Sequence, residues 1–326
     1  MPRTVSALLV CALSLLVLIS SAAAADTAWP ERPIRLIVPF QPGSSSDVIA
    51  RIVAVQLGPK LGTQVVVENR VGGSTIVGTE LVARAAPDGY TMGLANTSSH
   101  AASRALSNNL PFDPIRDFTP VAMIGSSPFI LLGSKQVPVS NMKVLIAYAK
   151  SNPAKLNYAS AGPATLSHLA GELFKKLAGV DITHVPYRGT AQSVIDLLEG
   201  RMQLLVGVIN STQDFVRDGR LTAFATLDTR RTRALPNVPT VAEAGVPGAE
   251  AVLWTALVLP AGVPEPIVEK LNKAVNDVVN MPEVQTSLKK QGIEPEPADR
   301  QVVAERIRVD VAKWSDVIAT AKIGKH

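Results

Sequence analysis

Short β-branched runs alternate with helix-period patterns along almost the whole of this 326-residue chain. That rhythm restricts it to an α/β fold of strands joined by crossover helices. The strand-like runs are residues 34–39, 64–68, 91–95, 129–132, 155–159, 182–185, 203–208 and 221–226. Helical patterns fall at 46–57, 76–85, 142–151, 167–178, 192–198, 266–279 and 299–319. Pro59 follows the first of these and is expected to end it. A single sheet could hold all the strands, but two segments favour two lobes. Residues 113–120 interrupt the rhythm before the apolar run 121–124, and the apolar run 251–259 ends at Pro260-Ala261-Gly262 and leads into helices only. These read as two hinge crossings, one outward and one back. Lobe 1 is then expected from 26–127 and 253–326, and lobe 2 from 128–252, each a mostly parallel sheet flanked by helices.

Residues 1–25 have the anatomy of a secretory signal. Arg3 supplies the positive end, 7–19 the apolar core and 21–25 a small-residue cleavage site. The core is short for a membrane span, and no later stretch reaches about 18 uncharged apolar residues. An exported, periplasmic protein is therefore expected, with an uncleaved anchor as the alternative. Cleavage would remove Cys11, the one cysteine, and with it any disulfide, thiolate nucleophile or cysteine metal ligand. The formal charge of +5 carries no long basic run interleaved with aromatics, which argues against nucleic-acid binding. The chain has no Gly-x-Ser-x-Gly elbow, phosphate loop, Gly-x-Gly-x-x-Gly or His-Glu-x-x-His. No two of its histidines stand at metal-ligand spacing on one element. A binding protein without cofactor or metal is expected, although a Ser/His/Asp set assembled from distant loops stays open.

Where binding would occur is suggested by turns at strand ends. Pro39-Phe40-Gln41-Pro42-Gly43-Ser44-Ser45-Ser46-Asp47 joins the first strand run to a helix whose buried face is Ile49, Ile52, Val53 and Leu57. Free N–H groups and the positive end of that helix suit an anion. A second such turn holds Ser160, Ala161, Gly162, Ala164, Thr165 and His168, before a helix with face Leu169, Leu173, Phe174 and Leu177. Ser160 and Thr165 can offer hydroxyls, and the N–H groups of Gly162, Ala164 and Thr165 are expected to face outward. Either turn also reads as a plain helix cap. Arg188, after the strand run 182–185, reads equally as a fork for a carboxylate or as surface. Thr97, Ser98 and His100 follow another strand and belong on the same carboxyl edge, where α/β sheets gather ligands. His100 reads equally as a satisfied helix-start histidine. Two anion-friendly turns, one per lobe, point to a cleft that closes on a ligand. Thr229-Arg230-Arg231-Thr232-Arg233 reads as a solvated loop, and Tyr90 and the tryptophans as packing.

Several motifs, in order, match one family. They are Trp29-Pro30-x-Arg32-Pro33-Ile34, Val67-Glu68-Asn69-Arg70, Ala86-Pro87-Asp88-Gly89-Tyr90-Thr91 and Leu156-Asn157-Tyr158-Ala159-Ser160. His168-Leu169-Ala170-Gly171-Glu172-Leu173-Phe174, His184-Val185-Pro186-Tyr187-Arg188-Gly189 and Leu235-Pro236-x-Val238-Pro239-Thr240-Val241-Ala242-Glu243-Ala244-Gly245 follow. From Trp29 to the C-terminal helix the chain resembles the periplasmic solute receptors of tripartite tricarboxylate transporters, the Bug-type receptors. The resemblance implies a two-lobed periplasmic binding protein fold that closes on a small carboxylate. It also implies delivery to a two-subunit membrane carrier, with no ATP hydrolysis, by a monomer. In that family one ligand carboxylate lies in the first-lobe loop, which carries onto Phe40 to Asp47. The second-lobe loop carries onto Ser160 to His168, with Thr165 at the small hydroxyl position. Two departures stand out. Ser44-Ser45-Ser46 replaces a stretch richer in glycine and alanine, and Gly207, beside Val208, stands where many members carry an Asp. The smaller, uncharged wall suits a dicarboxylate with an apolar middle, aliphatic or aromatic, better than an amino acid. Valine at Gly43 is expected to block such a site sterically while sparing the fold. A sensing receptor that feeds a signalling partner, or an exported enzyme acting on small acids, are the alternative readings.

Overall fold

The computed structural model describes residues 29–323 except 108 and 188, so the expected signal segment and Arg188 lie outside the described residues. In the first half, β1 (Ile34–Val38) is buried at four of its five positions, as a continuous apolar run requires. Helix α1 (Ser45–Leu61) leads to β2 (Val65–Asn69), and α2 (Ile76–Ala83) leads to the wholly buried β3 (Thr91–Asn96). Strand β1 lies between β2 and β3 and runs parallel to both. Pro59 sits inside the last turn of α1 and not beyond it. The helix stops at Gly62, whose φ of 72° places it in the left-handed region that caps helices. After β3 the chain makes one wide turn of π-helix, Thr97–Ala102, and the short α3 (Ser103–Leu106).

Strand β4 (Phe118–Ser134) is a single strand of 17 residues, where the sequence reading placed two separate apolar runs. Its continuity is local chemistry. Gly125 has no side chain because the Glu294 carbonyl oxygen lies 2.6 Å from where its Cβ would be. Beyond β4 come α4 (Met142–Ser151), β5 (Asn157–Ser160), α5 (Leu166–Ala178), β6 (Thr183–Pro186), α6 (Thr190–Leu198), β7 (Leu204–Val208), α7 (Gln213–Arg217) and β8 (Leu221–Thr226). Strand β5 runs parallel to β6 and β7 and forms the core of the second half. The return strand β9 (Val252–Pro260) precedes α8 (Glu265–Val279), α9 (Pro282–Lys290), β10 (Glu294–Ala298) and α10 (Arg300–Thr320).

The sheet order is β2-β1-β3-β9-β4-β7-β5-β6, with β8 and β10 also paired to β4. The first part of β4 pairs antiparallel with β9, from Phe118 opposite Pro260 to Pro128 opposite Val252. Its last part pairs with β7 and β8. One strand thus passes from one parallel core to the other, and the antiparallel pairs are confined to the strands around it. Strand β10, Glu-Pro-Glu-Pro-Ala, overturns the expectation of helices only after residue 259. Its prolines argue against a strand, but it lies half-buried along β4 and is interrupted in register between Pro295 and Ala298. Each half has its own apolar core, one around Leu36, Ile49, Leu57 and Leu271, the other around Leu145, Leu169, Phe174 and Leu204. Helix α10 joins both regions. Val303 and Ile307 pack with Trp254 and Phe118, and Trp314, Val317 and Ile318 pack with the second core.

On α5 the buried face is Leu169, Ala170, Leu173 and Phe174, while Leu177 is 44% exposed, in contrast to the expected face. Gly171 lets that helix sit on the Tyr158 ring, since a Cβ there would stand 2.2 Å from Tyr158 Cε2. Gly171→Ala is expected to destabilise the protein by about 1–3 kcal/mol through overpacking, read from the urea midpoint. An unchanged midpoint would mean the helix and ring are not in this contact.

Candidate functional site

A cavity of about 570 Å³ opens where the two halves meet at the carboxyl ends of β1, β2, β3 and β5. Four segments line it: Pro39-Phe40-Gln41 after β1, residues 71–76 after β2, Ser98 to Ser107 after β3, and Pro163-Ala164-Thr165 after β5. The first, second and fourth run into the amino end of a helix, and the third is the π-helix and α3, which begin just after β3. The dipole at a helix amino end favours negative charge. Among the described residues, none of the sixteen lining side chains is charged.

The first loop is held by Asp47, whose side chain is 4% exposed. Its carboxylate accepts from Gly43 N–H at 2.9 Å, Asn69 Nδ2 at 2.9 Å and Arg51 Nε at 3.0 Å. Burial works to raise this carboxyl, but the bonds from Arg51, Gly43 and Asn69 outweigh it and hold it below the usual range. Asn69 Nδ2 also donates to Phe40 O at 3.0 Å and so fixes the cavity-lining residue itself. Ser44 caps α1 by accepting from Asp47 N–H at 3.3 Å. The Asn96 side chain caps the π-helix by accepting from Ser98 and Ser99 N–H at 2.9 and 3.0 Å. Next to it, the buried His100 ring lies with Nδ1 3.0 Å from Ser99 Oγ and edge-on to Phe118, and burial lowers its pKa to about 3.

Of the residues singled out from sequence, Phe40, Gln41, Ser98, Ala164 and Thr165 line the cavity. Apart from Arg188, which lies outside the described residues, the others are not among the lining residues. Gly43, Ser44, Ser45, Ser46 and Asp47 form the turn and first helical turn that carry Phe40 and Gln41. Thr97 is fully buried, its hydroxyl donating to Val252 O and accepting from Trp254 N–H on β9, so it joins the loop to the return strand. Ser160 is also fully buried. The outward-facing N–H groups expected in the second loop are turned inward: Gly162 donates to Ser160 Oγ, Ala164 to His168 Nδ1 and Thr165 to Gly162 O. Ala161 N–H donates to Ser167 Oγ. Gly207 and Val208 end β7, paired with Ile130 and Phe129 of β4. A Cβ at Gly43 would meet no atom within 4 Å. A valine there would meet no protein atom at its Cβ but would strain the backbone, since φ is +78°.

Residues 71–76 were not anticipated. Their backbone is left-handed from Gly73 to Thr75, with φ of 53°, 53° and 90°. For Ser74 and Thr75 this costs strain that composition does not announce. The pair Gly72-Gly73 just past a strand was the available signal.

Residues 49–323 match the family model described as "Tripartite tricarboxylate transporter family receptor". The Bordetella pertussis protein BugT is 34% identical over 301 residues, 92% of this chain and 92% of that one. Among solved structures, the R. palustris protein Rpa4515, determined with adipate, is 34% identical with a TM-score of 0.75, covering 91% of this chain and all of that one. MatC from Rhodopseudomonas palustris, with bound malate, is 34% identical with a TM-score of 0.71, covering 89% of this chain and all of that one.

Asp47→Ala would leave Asn69 and the Gly43 N–H without their acceptor and is expected to cost about 1–3 kcal/mol. Because the folded carboxyl titrates below its ordinary 3.8, its contribution is complete above that pH and is lost as pH falls below it. Urea titrations at pH 7 and near pH 3 test this. An equal cost at both would show that the carboxylate does not organise the turn.

Proposed function

The chain belongs to the tripartite tricarboxylate transporter receptor family, and from that membership we propose that its cavity captures a small dicarboxylate for a separate, two-subunit membrane carrier. Receptors of this family are solute-binding proteins that work with a membrane transporter, and they are not enzymes. Among the described residues, no helix is long and apolar enough to cross a membrane. The proposed working form is a periplasmic monomer whose halves, 26–127 with 253–326 and 128–252, close about the β4–β9 crossing.

The uncharged lining carries the reading. Gln41, Ser74, Thr75, Ser98, Ser107 and Thr165 supply neutral polar groups, and the four helix ends add a positive potential. Pro39, Phe40, Val71, Ile76, Ala102 and Leu106 supply apolar wall between them. A ligand with an acid group at each end and carbon between fits such a lining. An amino acid would bring an ammonium that finds no carboxylate among the described lining residues, and burying it unpaired is costly. The similarity to Rpa4515 and MatC, solved with adipate and malate, supports a diacid. Donors fixed before the ligand arrives leave little ordering to be done on binding. Micromolar capture needs only about 8 kcal/mol. Of the candidate residues, Phe40, Gln41, Ser98, Ala164 and Thr165 are assigned to direct contact.

Calorimetric titration of the protein with adipate, malate, phthalate, aspartate and glutamate tests this reading. A diacid is expected to bind at least tenfold tighter than either amino acid, and the reverse order would refute it. Leu106→Asp, which adds a like charge to the wall, is expected to weaken the best diacid by about a hundredfold or more. Unchanged affinity in that variant would place the ligand elsewhere.

A further inference from the structure

Beneath the Pro163-Ala164-Thr165 wall lies a pair of imidazoles, sixteen positions apart in the chain. His168, on the first turn of α5, and His184, on β6, stack with ring centroids 3.8 Å apart and planes 9° from parallel. Tyr158 of β5 stacks on His184 at 4.9 Å. Both imidazoles hold the loop above them. His168 Nδ1 accepts the Ala164 N–H at 3.0 Å. His184 Nε2 lies 2.7 Å from Ser160 Oγ, which donates to Gly162 O at 3.1 Å and accepts from Gly162 N–H at 3.2 Å.

Ala164 is the cavity residue in this set, and its φ of +57° is a left-handed conformation that an alanine does not choose. Such a backbone is strained for a residue with a Cβ and persists only where the surroundings fix it. The bond from its N–H to a ring that is itself clamped by stacking is the fixing contact. A ring whose Nδ1 accepts a backbone N–H is neutral, with its proton on Nε2.

We propose that His168 is a positioning residue of the ligand cavity, holding the Ala164 wall through its neutral Nδ1, and that this bond makes ligand capture acid-sensitive. The acid sensitivity rests on the proposed function; the positioning role does not. A second proton on His168 would go to Nδ1 and set one donor against another, releasing Ala164. The charged and titratable groups around the ring are His184, Tyr158, Glu172 and Lys175. Glu172 accepts from Tyr158 Oη at 2.8 Å and Lys175 Nζ at 2.9 Å, so its charge is already matched. Burial is the main cause that lowers both histidines, His184 to about 4 and His168 below its ordinary 6.5, with Lys175 acting in the same direction and Glu172 against it. Ligand binding favours the neutral ring. Affinity is therefore steady above pH 6.5 and falls as pH drops through the lowered His168 value.

Two variants separate the bond from the packing. His168→Phe keeps a ring against His184 but removes the acceptor. His168→Asn places Oδ1 where Nδ1 stood and does not titrate. Amide hydrogen exchange at Ala164 is read in the unliganded protein, and adipate affinity is read by calorimetry in steps from about pH 7.5 down through the His168 titration. In His168→Phe, Ala164 exchange is expected to quicken and adipate affinity to fall about tenfold, the size of one lost hydrogen bond, while exchange at the buried Leu173 is unchanged. His168→Asn is expected to recover most of that loss and to show less decline on acidification than the wild type. Unchanged Ala164 protection in His168→Phe, or an equal acid decline in His168→Asn, would overturn the proposal. If the wild type binds neither adipate nor the other acids, the proposed function fails, and Ala164 exchange against pH in the three proteins still decides the role of His168.

Discussion

All four loops around the cavity leave the carboxyl end of a strand and enter the amino end of a helix, because β1, β2, β3 and β5 lie in parallel groups. Parallel pairing obliges each connection to cross back, and the crossover helices here start at the same edge of the sheet. Positive helix ends therefore collect at one place with no lysine or arginine among the described lining residues. The β4–β9 pair sets the two groups side by side, so the loop after β5 faces the three loops of the first half.

A site built this way behaves differently from one built on a cation. Helix ends and hydroxyls are weaker than a buried ion pair, but they need no counter-charge when the ligand leaves. Their strength depends on position, and much of the surrounding chemistry serves position. Asp47 holds the turn that carries Phe40, Asn96 caps the π-helix that carries Ser98, and the histidine stack holds the turn that carries Ala164. None of the three needs to touch a ligand to govern how well it is held.

The α/β rhythm was legible because buried parallel strands leave continuous apolar runs. Residues 142–151 and 221–226 form the expected helix and strand to the residue. What escaped has physical causes. Strand β4 reads as two pieces because Gly125 and Pro128 break its apolar run, although the close approach of β10 is what calls for the glycine. Strand β10 carries two prolines and is defined only by its partner. At the site, the positions of Phe40, Gln41, Ser98 and Thr165 followed from strand-end logic, whereas the direction of each N–H did not. A turn such as Gly162 to Thr165 can aim its amides outward or bind them to its own side chains, and only the positions of Ser160, Ser167 and His168 decide. The histidine pair was hidden because its members sit on different elements. The β5–β6 register, which sets Tyr158 opposite His184, brings them together.

The most direct measurement is a crystal structure of the protein with the tightest-binding diacid. The expected result is one ligand between the halves, its carboxylates on main-chain amides and hydroxyls from the loops after β1, β2 and β3, with the Pro163-Ala164-Thr165 wall closed against it and its carbon chain against Ile76, Ala102 or Leu106. A ligand bound outside this cavity, or held by contacts from one half alone, would contradict the closing, dipole-lined trap proposed for this chain.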